Sequence, residues 1–107
     1  MSNFTREDYE MAAKAAGVDG WYEPGYLSFI KRGGGVWRPP EDDGDALRLA
    51  VALRLQVTPG TYNSEEVTAY RSGHAESHER VHFQQDIGAA TRHAIFRAAI
   101  AIGRAMP

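Results

Sequence analysis

The chain has 107 residues, of which 43% are hydrophobic and 24% charged, and its 12 basic and 14 acidic side chains give a formal net charge of −2. That length supports one hydrophobic core, so we expect a single domain over residues 1–107 and exclude a multidomain enzyme. The absence of cysteine excludes disulfides, thiolate catalysis and cysteine-ligated zinc. The near-neutral charge makes nucleic acid an unexpected partner, and no apolar run reaches the ~20 residues of a membrane-spanning helix.

The N-terminal residues MSNFTRED lack the basic start and the apolar stretch of a secretory signal, which predicts a cytoplasmic protein. A first helix is predicted over Thr5–Ala16, with Thr5 as its N-cap and Gly17 at its end. Acidic Glu7 and Asp8 in the first turn support this start. The small apolar residues recur at helical spacing, so one narrow face is expected to lie on the core.

Glycine and proline interrupt residues 18–40, so this stretch cannot form a long helix. Short extended pieces are predicted over Tyr26–Ile30 and Val36–Arg38, on either side of a glycine tip. The stretch is also rich in large rings, and a contiguous aromatic surface is typical of an interface unless the rings belong to the core. We expect four of these rings to bind a macromolecular partner: Trp21, Tyr22, Tyr26 and Trp37.

An acidic cluster precedes the second predicted helix. Its carboxylates suit a helix start, because they can accept hydrogen bonds from free amides and oppose the positive end of the helix dipole. A cation site formed by Glu41, Asp42, Asp43 and Asp45 is the alternative, although the spacing lacks the loop of a calcium site. The helix itself is apolar on most sides, which favours self-association. Its core face is predicted to comprise Leu47, Ala50, Val51 and Leu53, with Arg48 and Arg54 outside.

A β-hairpin is predicted in the second half of the chain. Leu55–Val57 suits a short strand before a turn at Thr58–Thr61. Alternating residues then predict antiparallel strands over Val67–Arg71 and Arg80–Gln84, joined near Ser72–Ser77. The alternation places these strands in a half-buried sheet.

The last helix is predicted from an Asp86 cap to Ala105, since apolar residues recur on one stripe. That stripe contains Ile95, Ala98, Ala99 and Ile102 and is widened by Phe96 and Ile100. Basic residues lie elsewhere on the helix, where they indicate a solvated face or a site for an acidic protein or nucleic acid. We include Arg92 and Arg97 among the candidate binding residues, and take His93 as a surface histidine that shares one face with Arg97 and Arg104.

The sequence His78-Glu79-Arg80-Val81-His82 matches the H-E-x-x-H pattern of zinc proteases, and His74 lies four residues earlier. Proteolysis requires a helix, which would bring the glutamate to the metal as a general base. The alternation around Val81 predicts a strand instead, which turns Glu79 away from the histidines. An exposed polar strand face is therefore expected. A metal site at His74, His78 and His82, or a metal-dependent hydrolase that also uses Glu79, is the alternative, and no other cofactor is predicted.

Two segments resemble small bacteriophage and prophage proteins of the phage ABA-sandwich type. They are Val36–Ala50, with its Trp-Arg-Pro-Pro and Gly-Asp-Ala sequences, and Ala90–Met106 in the closing helix. The resemblance covers about a third of the chain and brings no catalytic motif with it. It implies a sheet of three or four strands with helices on both faces. The residues themselves predict a compatible α+β fold, an α/β/α sandwich in the order α-(β)-α-β-β-α.

These observations predict a non-enzymatic phage or prophage accessory protein that binds a host or phage protein in the host cytoplasm. An inhibitor of a host defence system, such as an anti-CRISPR, is one member of that class. The metal-binding hypothesis at the histidine cluster is the alternative.

Overall fold

The computed structural model describes residues 4–58, 66–71 and 86–107, together with the backbone of residues 74–82. Within these ranges the chain forms three helices and six strands. In chain order they are α1 (Arg6–Ala16), β1 (Gly20–Glu23), β2 (Ser28–Lys31), β3 (Val36–Trp37), α2 (Asp43–Leu53), β4 (Gln56–Thr58), β5 (Glu66–Arg71), β6 (His74–His82) and α3 (Ile87–Ala105). The predicted α+β class is confirmed, with helices that flank the sheets.

Side-chain caps begin each of the three helices. The Thr5 hydroxyl accepts a hydrogen bond from the backbone N–H of Asp8, whose carboxylate accepts one from the N–H of Thr5 in return. Asp42 caps α2 and Asp86 caps α3, each by accepting a hydrogen bond from the backbone N–H three residues later. Gly17, with φ of 72°, ends α1 in the left-handed conformation that glycine adopts without steric cost.

The strands divide into two antiparallel three-stranded sheets, where the sequence suggested one small sheet. Sheet A has the order β1-β2-β3 and sheet B the order β4-β5-β6. The predicted hairpin corresponds to β5 and β6, although β6 begins at His74, earlier than expected. The predicted turn after β4 and the end of the second hairpin strand lie largely outside the described residues. The sequence missed β1, the edge strand that completes sheet A.

The core forms around α3, which packs against α1, α2 and the strands of sheet B. Phe96 is fully buried at its centre, and its ring meets those of Phe4, Tyr9 and Trp37 at centroid distances of 4.8, 4.9 and 6.1 Å. The entire predicted stripe of α3 is buried, including both widening residues. Burial raises the pKa of the Tyr9 hydroxyl to about 12.

The predicted core face of α2 is wrong by about one residue's rotation around the helix. Leu47 and Val51 are 64% and 68% exposed, whereas Ala50 and Leu53 are buried as expected. The true core face also includes Ala46 and Leu49, at three- and four-residue spacing. Leu47 and Val51 lie four residues apart on a second, solvent-facing stripe. Among the described residues, no helix combines the length and apolarity that a bilayer crossing requires.

Candidate functional site: the outer face of sheet A

Sheet A buries one face against the helices. The register pairs Tyr22 with Phe29 and Phe29 with Trp37, so these three rings form one cross-strand row on the same face. Phe29 and Trp37 are buried, with ring centroids 5.5 Å apart, and the Tyr22 ring lies 5.7 Å from that of Tyr9. This row therefore anchors the sheet to the core.

The opposite face carries a second apolar row. The register pairs Trp21 with Ile30 and Ile30 with Val36, which brings one apolar side chain from every strand into line. Trp21 is 49% exposed, Val36 is also exposed and Ile30 is partly exposed. An antiparallel sheet with one wet face normally alternates apolar and polar residues. Sheet A is apolar on both faces at its centre.

The turn between β1 and β2 extends this apolar surface. Tyr26 and Leu27 are 77% and 75% exposed. Leu27 also has a φ of 49°, a left-handed conformation that a branched aliphatic residue adopts only at a steric cost. The turn is closed by hydrogen bonds from the N–H groups of both residues to the carbonyls of Glu23 and Pro24. The surface formed by Trp21, Tyr26, Leu27, Ile30 and Val36 is called the sheet A patch below.

Charges of both signs surround the sheet A patch. Glu23 ends β1, and its carboxylate accepts a hydrogen bond from the N–H of Gly25. Arg32 follows β2 and pairs with Asp19, which raises the pKa of its guanidinium through that hydrogen bond and the attraction of the carboxylate. Arg38 follows β3 and is exposed. An apolar centre with a mixed charged rim is the composition of a protein-binding surface.

The predicted aromatic site is thus divided by the sheet. Trp21 and Tyr26 are exposed, in agreement with the sequence, whereas Tyr22 is partly buried and packs against the core. For Trp37 the expectation of an exposed ring is wrong, because it is 4% exposed and belongs to the core. Its pairing with Phe29 determines this, since residues opposite each other share a face.

Two of the three arginines predicted on the solvated face of α3 join this helix to other helices. The Arg92 guanidinium donates to the carbonyl of Pro40 at 3.1 Å and pairs with Asp43 at 2.7 Å, so it joins α3 to the start of α2. Arg104 pairs with Asp8 of α1 at 3.2 Å. Arg97 is exposed and lies with Arg104 beside a surface cavity of about 260 Å³. The expected solvated face therefore holds two interhelical ion pairs.

His93 is partly buried, which corrects the expectation of a surface histidine. Its ring meets that of Phe4 edge-on at 5.4 Å. Burial, together with the positive charges of Arg97 and Arg92, lowers the pKa of this imidazole from its ordinary value of 6.5. The neutral ring is the form that the structure favours.

The acidic cluster serves as the start of α2. The Asp42 carboxylate accepts from the N–H of Asp45 at 2.7 Å, as an N-cap does. Asp45 is buried, and its carboxylate accepts from the backbone N–H of Arg38 at 2.9 Å and from the Arg48 guanidinium at 2.7 Å. The helix-start prediction is confirmed. Across the residues whose side chains are described, no three potential ligands are grouped as a cation site would require.

The histidine motif lies on β6, which is an extended strand and not a helix. The register pairs Val81 with Val67 and Glu79 with Ala69 in sheet B. This backbone contradicts the protease arrangement, in which the two histidines lie one helical turn apart. The side chains of His74, His78 and His82 lie outside the described part, so the metal hypothesis stays a prediction.

Comparisons with known proteins give no family for this chain: no family model, no curated protein and no solved structure matches it. The resemblance to phage ABA-sandwich proteins stays a prediction that rests on Val36–Ala50 and Ala90–Met106.

The sequence missed Leu27, Ile30 and Val36 as members of the patch. A signal for two of them was present, because Ile30 and Val36 are apolar residues in the predicted extended pieces. Only the register shows that they lie beside Trp21. For Leu27 no sequence signal was available, since its exposure and positive φ follow from the turn that the chain adopts.

Proposed function

We propose that this protein acts by binding another protein on the sheet A patch. The observation that carries the proposal is the cross-strand row of Trp21, Ile30 and Val36 on the solvent side of a sheet whose other face is already buried. Exposed apolar surfaces rimmed by polar residues mark interaction sites, and tryptophan and tyrosine are enriched among the residues that dominate binding energy.

Strain in the turn adds a second, independent reason. A left-handed conformation costs an L-residue other than glycine or asparagine about 1–2 kcal/mol. Leu27 has this conformation, and its side chain is 75% exposed, so burial of that side chain does little to offset the cost. Strained positions concentrate at ligand-binding sites, where the strain fixes a side chain in the orientation for contact. Tyr26 and Leu27 are therefore proposed as the projecting anchors of the patch.

The rim chemistry favours a protein partner over a nucleic acid. Glu23 and the paired Arg32 and Asp19 give charges of both signs, whereas a nucleic-acid site requires an excess of basic groups. On the phage resemblance alone, the partner is a host or phage protein in the host cytoplasm. Inhibition of a host defence system, in the manner of an anti-CRISPR, is one role that such binding would serve.

Photo-crosslinking tests the proposal directly. Tyr26 is replaced by a benzoylphenylalanine residue, which preserves an aromatic side chain at an exposed position, and the protein is irradiated in a lysate of a bacterial host. Mass spectrometry then identifies the crosslinked protein, which is purified and titrated against the wild-type chain. We expect a Trp21→Thr, Val36→Thr variant to bind at least about 100-fold more weakly, because two exposed apolar anchors are lost.

A matched variant controls for the loss of apolar surface in general. Leu47→Gln with Val51→Gln removes the same number of exposed apolar side chains from α2 and should leave this affinity unchanged. Circular dichroism melting verifies that both variants fold. If the crosslinked partner binds the Thr variant as tightly as the wild type, the sheet A patch is not the binding site and the proposal fails.

A further inference from the structure

The exposed side of α2 carries a self-complementary stripe. Leu47 and Val51 lie four residues apart on it and are mostly exposed. Acidic Asp43 lies four residues before Leu47, and its side chain is 87% exposed although it pairs with Arg92. Basic Arg54 follows the last turn and is exposed. The stripe is therefore negative at one end, apolar at its centre and positive at the other.

A groove beside this stripe offers space for apolar side chains. It has a volume of about 310 Å³ and is lined largely by apolar atoms of α2, α3 and β4, including Leu47, Ala50, Val57 and Ile95. The Asp43–Arg92 ion pair lies at the same groove. An aliphatic side chain of a partner would be removed from water there, which is favourable in proportion to the apolar area buried.

We propose that a second copy of this chain binds on the α2 stripe, with the two α2 helices antiparallel about a two-fold axis. The charge order decides in favour of this occupant. Antiparallel pairing brings the acidic end of one stripe to the basic end of the other, and it also opposes the two helix dipoles. In a two-fold interface, if a residue of the first copy contacts a given residue of the second copy, the same two residues are also in contact with the copies exchanged.

The spacing of the stripe meets that requirement. An axis at the level of Leu49 places Leu47 opposite Val51 of the second copy, and Val51 opposite Leu47. The same axis places Asp43 of each copy within one residue of the level of Arg54 of the other copy, where Arg54 is the exposed C-cap of α2. Opposite charges therefore meet at both ends of the stripe in the same register. The Asp43 carboxylate can accept this hydrogen bond as well as that of Arg92, because it has about four lone-pair sites.

Sedimentation equilibrium measures the expected assembly. The wild-type chain should approach twice its 11.8 kDa monomer mass as its concentration rises. Leu47→Gln with Val51→Gln should raise the dimer dissociation constant by about 100-fold or more, since four apolar side chains leave each dimer interface. Ala52→Gln, at an exposed position of α2 away from the stripe, is the matched control and should dimerise as the wild type does.

Cysteine crosslinking tests the orientation, and the chain has no cysteine to interfere. Oxidation of a mixture of Leu47→Cys and Val51→Cys proteins should give mainly the mixed disulfide, because the antiparallel register faces these two positions. A parallel arrangement would give the two homodisulfides instead. The Trp21→Thr, Val36→Thr variant should still dimerise, which separates this inference from the proposed function.

Three results would overturn the inference. They are a wild-type chain that stays monomeric at every concentration, a dimer that persists in the Leu47→Gln, Val51→Gln variant, and a predominance of homodisulfides. If dimerisation is lost only when the sheet A patch is substituted, the two copies contact each other through that patch. This outcome is one form of the second result and contradicts the α2 arrangement.

Discussion

The crossing of α1 and α3 depends on the absence of one side chain, and Gly103→Ala tests this. A Cβ at position 103 would lie 2.6 Å from the carbonyl carbon of Met11, and closer still to its oxygen. Carbon atoms in ordinary contact are about 3.5–4.0 Å apart. Because the atoms in conflict belong to the α1 backbone, a side-chain rotation cannot relieve the overlap. The helices must separate by about 1 Å.

That separation would be costly because the Phe96 ring of α3 packs against Tyr9 of α1 and against Phe4, which precedes α1. A radial gap of 0.5–1 Å forfeits about a quarter to a half of the dispersion energy of each affected contact. Overpacked core substitutions cost typically about 1–3 kcal/mol, and backbone overlap belongs at the upper end of that range. Alanine regains about 0.5–1 kcal/mol of helix propensity. We therefore expect a net loss of about 2 kcal/mol.

Gly88→Ala is the matched control, since it is the same substitution in the same helix. A Cβ there would meet the Asp86 carboxylate and the Arg92 guanidinium at 3.4 and 3.5 Å, which are ordinary contacts. Thermal unfolding by circular dichroism should show the Tm of Gly103→Ala lowered by about 8–16 °C, and that of Gly88→Ala equal or raised by a few degrees. If both variants melt together, the close approach of α1 to α3 is wrong.

Three further predictions concern single side chains. Asp45→Ala should cost about 1–3 kcal/mol in urea unfolding, because it removes the acceptor of the Arg38 N–H, and Asp45→Asn should cost less since one acceptor remains. Because the pKa of His93 is lowered in the folded chain, the unfolded chain binds more protons than the folded chain as the pH falls through the ordinary histidine pKa of 6.5. Stability should therefore fall as the pH drops from 7 to 5, and His93→Gln should flatten this dependence in thermal melts. Leu27→Asn should raise stability by about 1 kcal/mol in urea unfolding, because asparagine adopts φ of 49° more readily, and should weaken partner binding. An unchanged free energy of unfolding would show that Leu27 is not strained.

The starts of the helices were predictable because N-caps are local interactions. Thr5, Asp42 and Asp86 each bind an amide three residues along the chain, so the signal lies within four residues of sequence. The stripe of α3 was predictable for a similar reason, since its apolar residues fall on one side and leave only one face to bury. In both cases the sequence alone contains the geometry.

The orientation of α2 was not predictable in this way. Apolar residues cover two adjacent stripes, and the one that contains Leu49 is buried whereas the one that contains Leu47 is exposed. Nothing within the helix distinguishes them, because the choice depends on where α3 lies. The same applies to sheet A, where Trp21 and Trp37 are both large rings in short strands. Their opposite environments follow from pairing with Ile30 and Phe29, two consecutive residues of β2.

The ambiguity in the sequence and the two proposals have one physical origin. A sequence that is apolar on more faces than its own core can cover leaves apolar surface exposed, and large exposed apolar surfaces are typical of interaction sites. In sheet A this surplus is an aromatic row with a strained projecting turn, which suits a different protein. On α2 it is a short stripe with opposite charges at its ends, which suits a second copy. Because the two surfaces share no residue, substitutions on one should act independently of the other. The combined variant should therefore lose partner binding by the same free energy as the sheet A variant alone, and dimerisation by the same free energy as the α2 variant alone.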